Sequence, residues 1–167
     1  MGRILILRPF AYLIALVFAL GPVVGCGIFD QYEKNSDGYY ERHFYCCGPV
    51  ALEKALEHLG KQIDKAELSK SMQDNGIAIK ELLSFFNKDA ICITWPSEMK
   101  AAAKKYGFEP ITVKNFEKLD PKKDVALVLV HSKLTDYHWL VFPTDDPKSY
   151  YGAETKIDKI YLLKKTQ

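Results

Sequence analysis

The sequence predicts an α+β domain in which N-terminal helices pack on a C-terminal antiparallel sheet. In the first half of the chain, apolar residues recur at helical spacing between capping residues and glycines. In the second half, short β-prone runs are separated by polar turns. A chain in which the helices come first and an antiparallel sheet follows is typical of the α+β class.

Four helices are predicted from their start and stop residues. Gly48-Pro49 suits a first helical turn, because the fixed φ of proline fits it, and Gly60 ends this helix. Asp64 and Glu67 have the spacing of a capping box, and Asn75-Gly76 is expected to close the second helix. Ser97 can cap a fourth helix, and Gly107 is expected to terminate it. The expected ranges are 48–59, 65–73, 77–86 and 98–106.

Four strands are expected after the helices, at 110–113, 125–130, 138–142 and 159–163. The run from Val125 to Val130 is apolar without interruption, which is consistent with a strand buried on both faces. The run from His138 to Phe142 follows it after a polar turn.

The N-terminus has the features of an export segment. Arg3 and Arg8 precede an apolar core, and Val23-Val24-Gly25-Cys26 resembles the end of a bacterial lipoprotein signal, in which the cysteine is lipidated. This predicts a signal peptide at 1–25, a tether at 26–38 and a domain at 39–167. A transmembrane anchor is the alternative, since 9–29 lacks charge and is long enough to span a bilayer. Ordinary secretion is the third possibility, and all three place the domain outside the cytoplasm, facing the periplasm or the exterior of a bacterial envelope.

Composition excludes several classes of function. Removing Arg3 and Arg8 from the 23 basic residues leaves 21, equal to the 21 acidic residues, so nothing suggests a nucleic-acid partner. No metal or cofactor is expected, because Cys46-Cys47 is not a spaced ligand pair and only His43 lies near it. Cys46 and Cys92 could pair in an oxidising compartment.

The strongest chemical pattern combines Cys47 and His138. Cys47 precedes Gly-Pro and a helical run, and His138 opens an apolar strand. A thiol at a helix start facing an imidazole is the usual design of a cysteine nucleophile, because the positive helix end favours thiolate. The alternatives are that Cys47 is a small buried hydrophobe, that His138 merely begins a strand, and that His131 is the base.

This order of motifs resembles the papain-like double-glycine leader peptidases, which process bacteriocin precursors, over roughly 39–163. The resemblance implies a papain-like fold, a peptide or protein substrate, Cys47 as nucleophile and His138 as general base. It also implies an acidic residue before proline as the third member, which is Asp146, with Asp145 as neighbour and Asp158 as fallback. The carboxylate would orient the imidazole and stabilise its cation.

The sequence departs from that family where the family has an oxyanion-binding glutamine. Glu41 and Arg42 stand there, and the nearest upstream glutamine is Gln31. A carboxylate donates a hydrogen bond only when protonated, so Arg42 and the backbone N–H of Cys47 are the alternative donors. Two functions follow: a membrane-anchored cysteine peptidase, or a silent relative that binds a peptide or partner in an envelope assembly. Acyl or amide transfer by the same residues is a third.

Overall fold

The computed structural model of the chain describes residues 34–85, 87–133 and 136–166, with only the backbone described at Ile77 and Lys88. The expected signal peptide, Cys26 and the first part of the tether lie outside these residues.

Three α-helices lie in the described part of the chain, and each begins and ends for a local reason. Helix α1 spans Cys47–His58, α2 spans Lys65–Ser84 and α3 spans Pro96–Lys105. The Asp64 carboxylate accepts the N–H of Ala66 at 2.5 Å, which caps α2. Helices α1 and α3 are each followed by a glycine with positive φ, which ends a helix without steric cost. These are Gly60 at +79° and Gly107 at +90°.

The expected break at Asn75-Gly76 is wrong, because α2 continues through it to Ser84. Asn75 faces partly outward and its Nδ2 donates to the carbonyl of Ser71 at 2.8 Å, as an i−4 bond along the helix. At Gly76 a Cβ would lie 1.7 Å from Oε1 of Glu98. Gly76 therefore serves close packing of α3 against α2, and the two predicted helices are one.

Four strands form a single antiparallel sheet in the order β1-β4-β2-β3. Strand β1 spans Phe108–Thr112, β2 Ala126–His131, β3 His138–Phe142 and β4 Lys156–Lys165. Strand β3 is an edge strand, and Val130 of β2 pairs with its first residue, His138. The predicted α+β class is confirmed, and each strand lies within a few residues of its expected position.

The sheet carries apolar residues on both faces. One face packs against the helices through residues that include Leu127, Leu129 and Trp139. The other is a smaller core with Ala126, Val128 and others, closed by residues that lie outside the three α-helices. Strand β2 is thus buried on both sides, as its unbroken apolar run predicts.

A disulfide fastens the residues before α1. Cys46 joins Cys92 with 5.2 Å between their Cα atoms, a separation typical of disulfides. Two 3-10 helices, Glu41–Tyr45 and Lys88–Cys92, end at or next to these cysteines. In the described ranges no helix is both long and apolar enough to cross a membrane.

Candidate active site

Cys47 is the first residue of α1 and takes no part in a disulfide. Its neighbour Cys46 is fully buried and bonded to Cys92, so Cys47 is the free cysteine among the residues that the structure describes. The side chain of Cys47 is partly buried against the helix-side core. The helix N-terminus presents unpaired N–H groups and partial positive charge, which favour the thiolate.

Gly48 allows α1 to approach Thr94 closely. A Cβ on Gly48 would lie 2.2 Å from the Thr94 Oγ1 atom, so only glycine fits. The Thr94 carbonyl accepts a hydrogen bond of 3.0 Å from Nε1 of Trp139. Gly48, which follows Cys47, and Trp139, which follows His138, therefore both contact Thr94. The start of α1 and the start of β3 lie near each other as a result.

His138 is half-buried at the start of β3. Its ring stacks on Tyr150, with centroids 4.6 Å apart and planes 14° from parallel. Burial lowers the pKa of His138, and the Asp145 carboxylate opposes part of that shift. Near neutral pH the imidazole is therefore neutral, the form in which it accepts a proton.

Tyr150 stacks on His138, and the pKa of its neighbour Tyr151 is affected by Cys47. Strand alternation assigns His138 to the face of Leu140, away from the helices, whereas Cys47 packs on the helix side. Tyr151 packs against the outer core and its ring meets Tyr150 edge-on at 4.7 Å. The pKa of Tyr151 is raised to about 12 by burial first, then by Asp136, Tyr150 and Cys47. Tyr151 therefore lies close enough to Cys47 for the charge of a thiolate to raise its pKa, although the two residues pack against opposite faces of the sheet.

Asp145, rather than Asp146, is the carboxylate whose field acts on His138. Its Oδ2 accepts the N–H of Val141 at 2.8 Å, and its Oδ1 accepts from Lys54 Nζ of α1 at 2.5 Å. Asp145 therefore links β3 to the helix that carries Cys47. The family pattern of an acidic residue before proline selects Asp146 instead of Asp145. The sequence alone does not show which of the two carboxylates turns inward.

Asp146 is exposed and stabilises its own turn. It accepts from Ser149 Oγ at 2.6 Å and from the N–H of Lys148 at 3.1 Å, and these bonds lower its pKa. The fallback residue, Asp158, lines a groove between β4 and the chain after β1, and pairs with Lys159 at 3.5 Å.

The residues in place of the family glutamine lie in the 3-10 helix before the disulfide. Glu41 is half-buried, and the guanidinium of Arg42 pairs with Asp89. Gln73 is the buried glutamine nearby, and its amide accepts the Tyr40 N–H at 2.8 Å and donates to the Tyr40 carbonyl at 3.2 Å. Gln73 therefore holds the entering backbone, while Gln31 lies outside the described residues.

The remaining histidines have other surroundings. His131 ends β2 and stacks on Tyr137 at 4.7 Å, and His58 is exposed at the end of α1. His43 is fully buried, with ring nitrogens 2.6 Å from Ser69 Oγ and 3.3 Å from Lys80 Nζ. Burial, and then the Lys80 charge, lower the pKa of His43 to about 3.

Sequence analysis missed the buried polar cluster around His43. Lys80 is fully buried and pairs with the equally buried Glu98 at 2.8 Å. The cluster joins α2 and α3 to the segment that leads into Cys47. In the sequence, apolar residues stand at 77–79 and 82–83 on either side of Lys80 and Glu81, and that is the only signal of the burial of Lys80.

Comparisons with protein-family models, curated proteins and solved structures give no match for this chain. Across the described ranges, no three His, Cys, Asp or Glu side chains gather in a way that could hold a metal ion. The chemistry of the site must therefore be inferred from its own residues. A thiol at a positive helix end, a neutral imidazole and a nearby carboxylate form a set suited to nucleophilic attack on an acyl group.

Proposed function

We propose that the chain is a membrane-anchored cysteine peptidase of papain-like fold that cleaves a peptide or leader segment outside the cytoplasm. Cys47 is the nucleophile, His138 the general base and Asp145 the carboxylate that stabilises the imidazolium. The observation that carries the proposal is the shared contact on Thr94, which Gly48 approaches with its backbone and Trp139 with its indole.

In the proposed reaction, the imidazole of His138, at the first residue of the edge strand β3, turns towards the start of α1 and takes the proton of Cys47. The thiolate then attacks the substrate carbonyl. The tetrahedral oxyanion lies at the start of α1, where backbone N–H groups such as that of Cys47 can donate to it. His138 then gives its proton to the leaving amine, and a thioester remains on Cys47. Water, deprotonated by His138, hydrolyses the thioester and releases the acid product.

The pKa shift of His138 supports this role. Burial keeps the ring neutral, so it can accept a proton, and Asp145 favours the cation that forms during the step. The disulfide between Cys46 and Cys92 supports an oxidising compartment, in agreement with the export segment. Fixing Cys46 in that bond also directs reaction to the adjacent thiol.

The first test is alkylation of the intact chain by iodoacetamide near neutral pH, with the modified residue located by mass spectrometry. We expect Cys47 to be alkylated much faster in the folded chain than a cysteine is in the urea-unfolded chain. The His138→Ala substitution should lower the folded-state rate to the unfolded-state rate. His131→Ala is the matched control and should keep the faster rate. A Cys47 rate that is the same folded and unfolded, or that His138→Ala leaves unchanged, would refute the proposed pair.

A second candidate function is binding of an extended peptide without catalysis. It is favoured by the sequence, which lacks the glutamine that the double-glycine peptidases use to bind the oxyanion. It is also favoured by the ion pair of Arg42 with Asp89, because this pair engages the guanidinium that could otherwise donate to the oxyanion. Under this alternative, Cys47→Ala would keep the cellular phenotype and the binding of a captured peptide. A peptidase would lose the phenotype in the same variant.

A further inference from the structure

Helix α2 exposes a stripe of large apolar side chains in its last two turns. Ile79 is 55% exposed, Leu82 59% and Phe85, which follows the helix, 85%. Their spacing of three residues places them along one side of the helix. We refer to Ile79, Leu82 and Phe85 as the α2 stripe.

The orientation of the α2 stripe is fixed by the opposite side of the same helix. Lys80 is fully buried there and pairs with Glu98 of α3 at 2.8 Å. Because residue 76 is a glycine, the Glu98 carboxylate has room to reach Lys80. Lys80 faces inward while Ile79 and Leu82 are more than half exposed, so the stripe lies on a side of α2 that the Lys80–Glu98 pair does not occupy.

The described chain enters beside the stripe. Lys34 pairs with Glu81 at 2.6 Å and forms a β-bridge with Tyr40. Glu81 and Phe85 are four residues apart, and residues at this spacing are neighbours on a helix surface. The polypeptide that precedes Lys34 therefore departs from a point next to the apolar side chains.

Both forms of the expected membrane anchor end close to Lys34 in the sequence. Cys26 is eight residues before it, and the uncharged run ends at Phe29, five residues before it. A fully extended chain of these lengths spans at most about 29 Å or about 18 Å. Either anchor would hold Lys34 within that distance of the bilayer, and the stripe lies beside the Lys34–Glu81 pair.

We propose that the α2 stripe lies on the lipid bilayer and that the domain is docked to the membrane by this face. The inference rests on the anchoring that forms part of the proposed function. Exposed isoleucine, leucine and phenylalanine on one side of a helix are the residues that enter the boundary between headgroups and acyl chains. Anchor and stripe then have separate roles, since the anchor holds the domain at the membrane and the stripe determines which face of the domain meets it.

The test reconstitutes the full chain in vesicles and measures quenching of tryptophan emission by lipids brominated on the acyl chains. Phe85→Trp places the probe in the stripe, Leu82→Trp repeats the measurement at a second position, and wild type supplies the background from Trp95 and Trp139. Ile111→Trp is the matched control, because Ile111 is 47% exposed on β1, in the sheet. We expect the added emission at 85 and 82 to fall about twofold and that at 111 to change little.

Quenching that is absent at both stripe positions, or equal at all three, would overturn the inference. Absence despite co-sedimentation with the vesicles would mean that the preceding segment or a second copy covers the stripe. Loss of co-sedimentation would remove the anchor and the inference together. Alkylation of Cys47 in the same samples reports on the peptidase chemistry separately, because it does not depend on the lipid.

Discussion

The indole of Trp139 donates a 3.0 Å hydrogen bond to the backbone carbonyl of Thr94. Trp139 follows the predicted base, and Thr94 faces Gly48, which follows the predicted nucleophile. One residue between α3 and a 3-10 helix thus fixes the strand and the helix that carry the site. Because both connections are short and buried, a change at either end should be felt at the other.

Gly48→Ala should disturb the site without touching Cys47 itself. The new Cβ would lie 2.2 Å from Thr94 Oγ1 and 2.5 Å from its Cβ, so the first turn of α1 must shift. We expect a loss of about 1–3 kcal/mol in the free energy of unfolding, the usual effect of overpacking, and slower alkylation of Cys47. Urea denaturation and mass spectrometry measure the two effects.

Thr94→Gly provides the control for this contact. Combined with Gly48→Ala, it removes the atoms that clash, so the double variant should lose less stability than the sum of the single variants. Strict additivity would contradict the proposed contact between α1 and Thr94.

Asp145→Asn should lower the pKa of His138 further. The carboxylate raises that pKa against the effect of burial, so neutralising it leaves burial unopposed. The imidazole signals in NMR should then titrate at a lower pH than in wild type, and the acid limb of the Cys47 alkylation profile should move the same way. Asp146→Asn is the matched control, because Asp146 is exposed and its hydrogen bonds to other described residues lie within its own turn. An equal shift in both variants would remove the distinction between the two carboxylates.

The fold was predictable from sequence where local patterns decide structure, and less so where packing decides it. The run at 125–130 predicts a strand buried on both faces because every side chain in it is apolar. Asn75-Gly76 predicts a turn by local preference, but packing against Glu98 overrides that preference. In the candidate site, Cys47 and His138 carry local signals, whereas the choice of Asp145 over Asp146 depends on which carboxylate the turn after β3 directs inward.

Removing the disulfide should weaken the fold substantially. Cys46 and Cys92 are 46 residues apart in the sequence. A cross-link that closes a loop of this length stabilises the folded chain by about 4 kcal/mol, if its effect is to reduce the entropy of the unfolded chain. The double variant Cys46→Ala with Cys92→Ala should lose about that much free energy of unfolding in urea without reductant. Cys47→Ala is the control for a cysteine outside the bond. A double variant no less stable than Cys47→Ala would show that the bond does not form in solution.

Acid should destabilise the domain through His43. Its pKa is about 3 in the folded chain and about 6.5 in the unfolded chain, so between these values the unfolded state binds more protons. Stability is therefore complete above about pH 6.5 and falls as pH decreases towards 3, by at most about 1.4 kcal/mol per pH unit. Lys80 faces the ring, and Glu98 partly neutralises Lys80, so protonating His43 would add a second buried cation beside one carboxylate.

His43→Gln should flatten this dependence, because glutamine does not titrate and can still hydrogen-bond to Ser69. The comparison is sharpest between pH 6.5 and pH 5, where most carboxylates remain ionised. His138, whose pKa is also lowered, keeps part of the slope. His58→Gln, at the exposed end of α1, is the matched control and should retain the wild-type slope in urea denaturation. If both variants show the same dependence of the unfolding free energy on pH as wild type, then His43 is not protonated on unfolding in this range. The buried cluster would then not determine how the domain loses stability in acid.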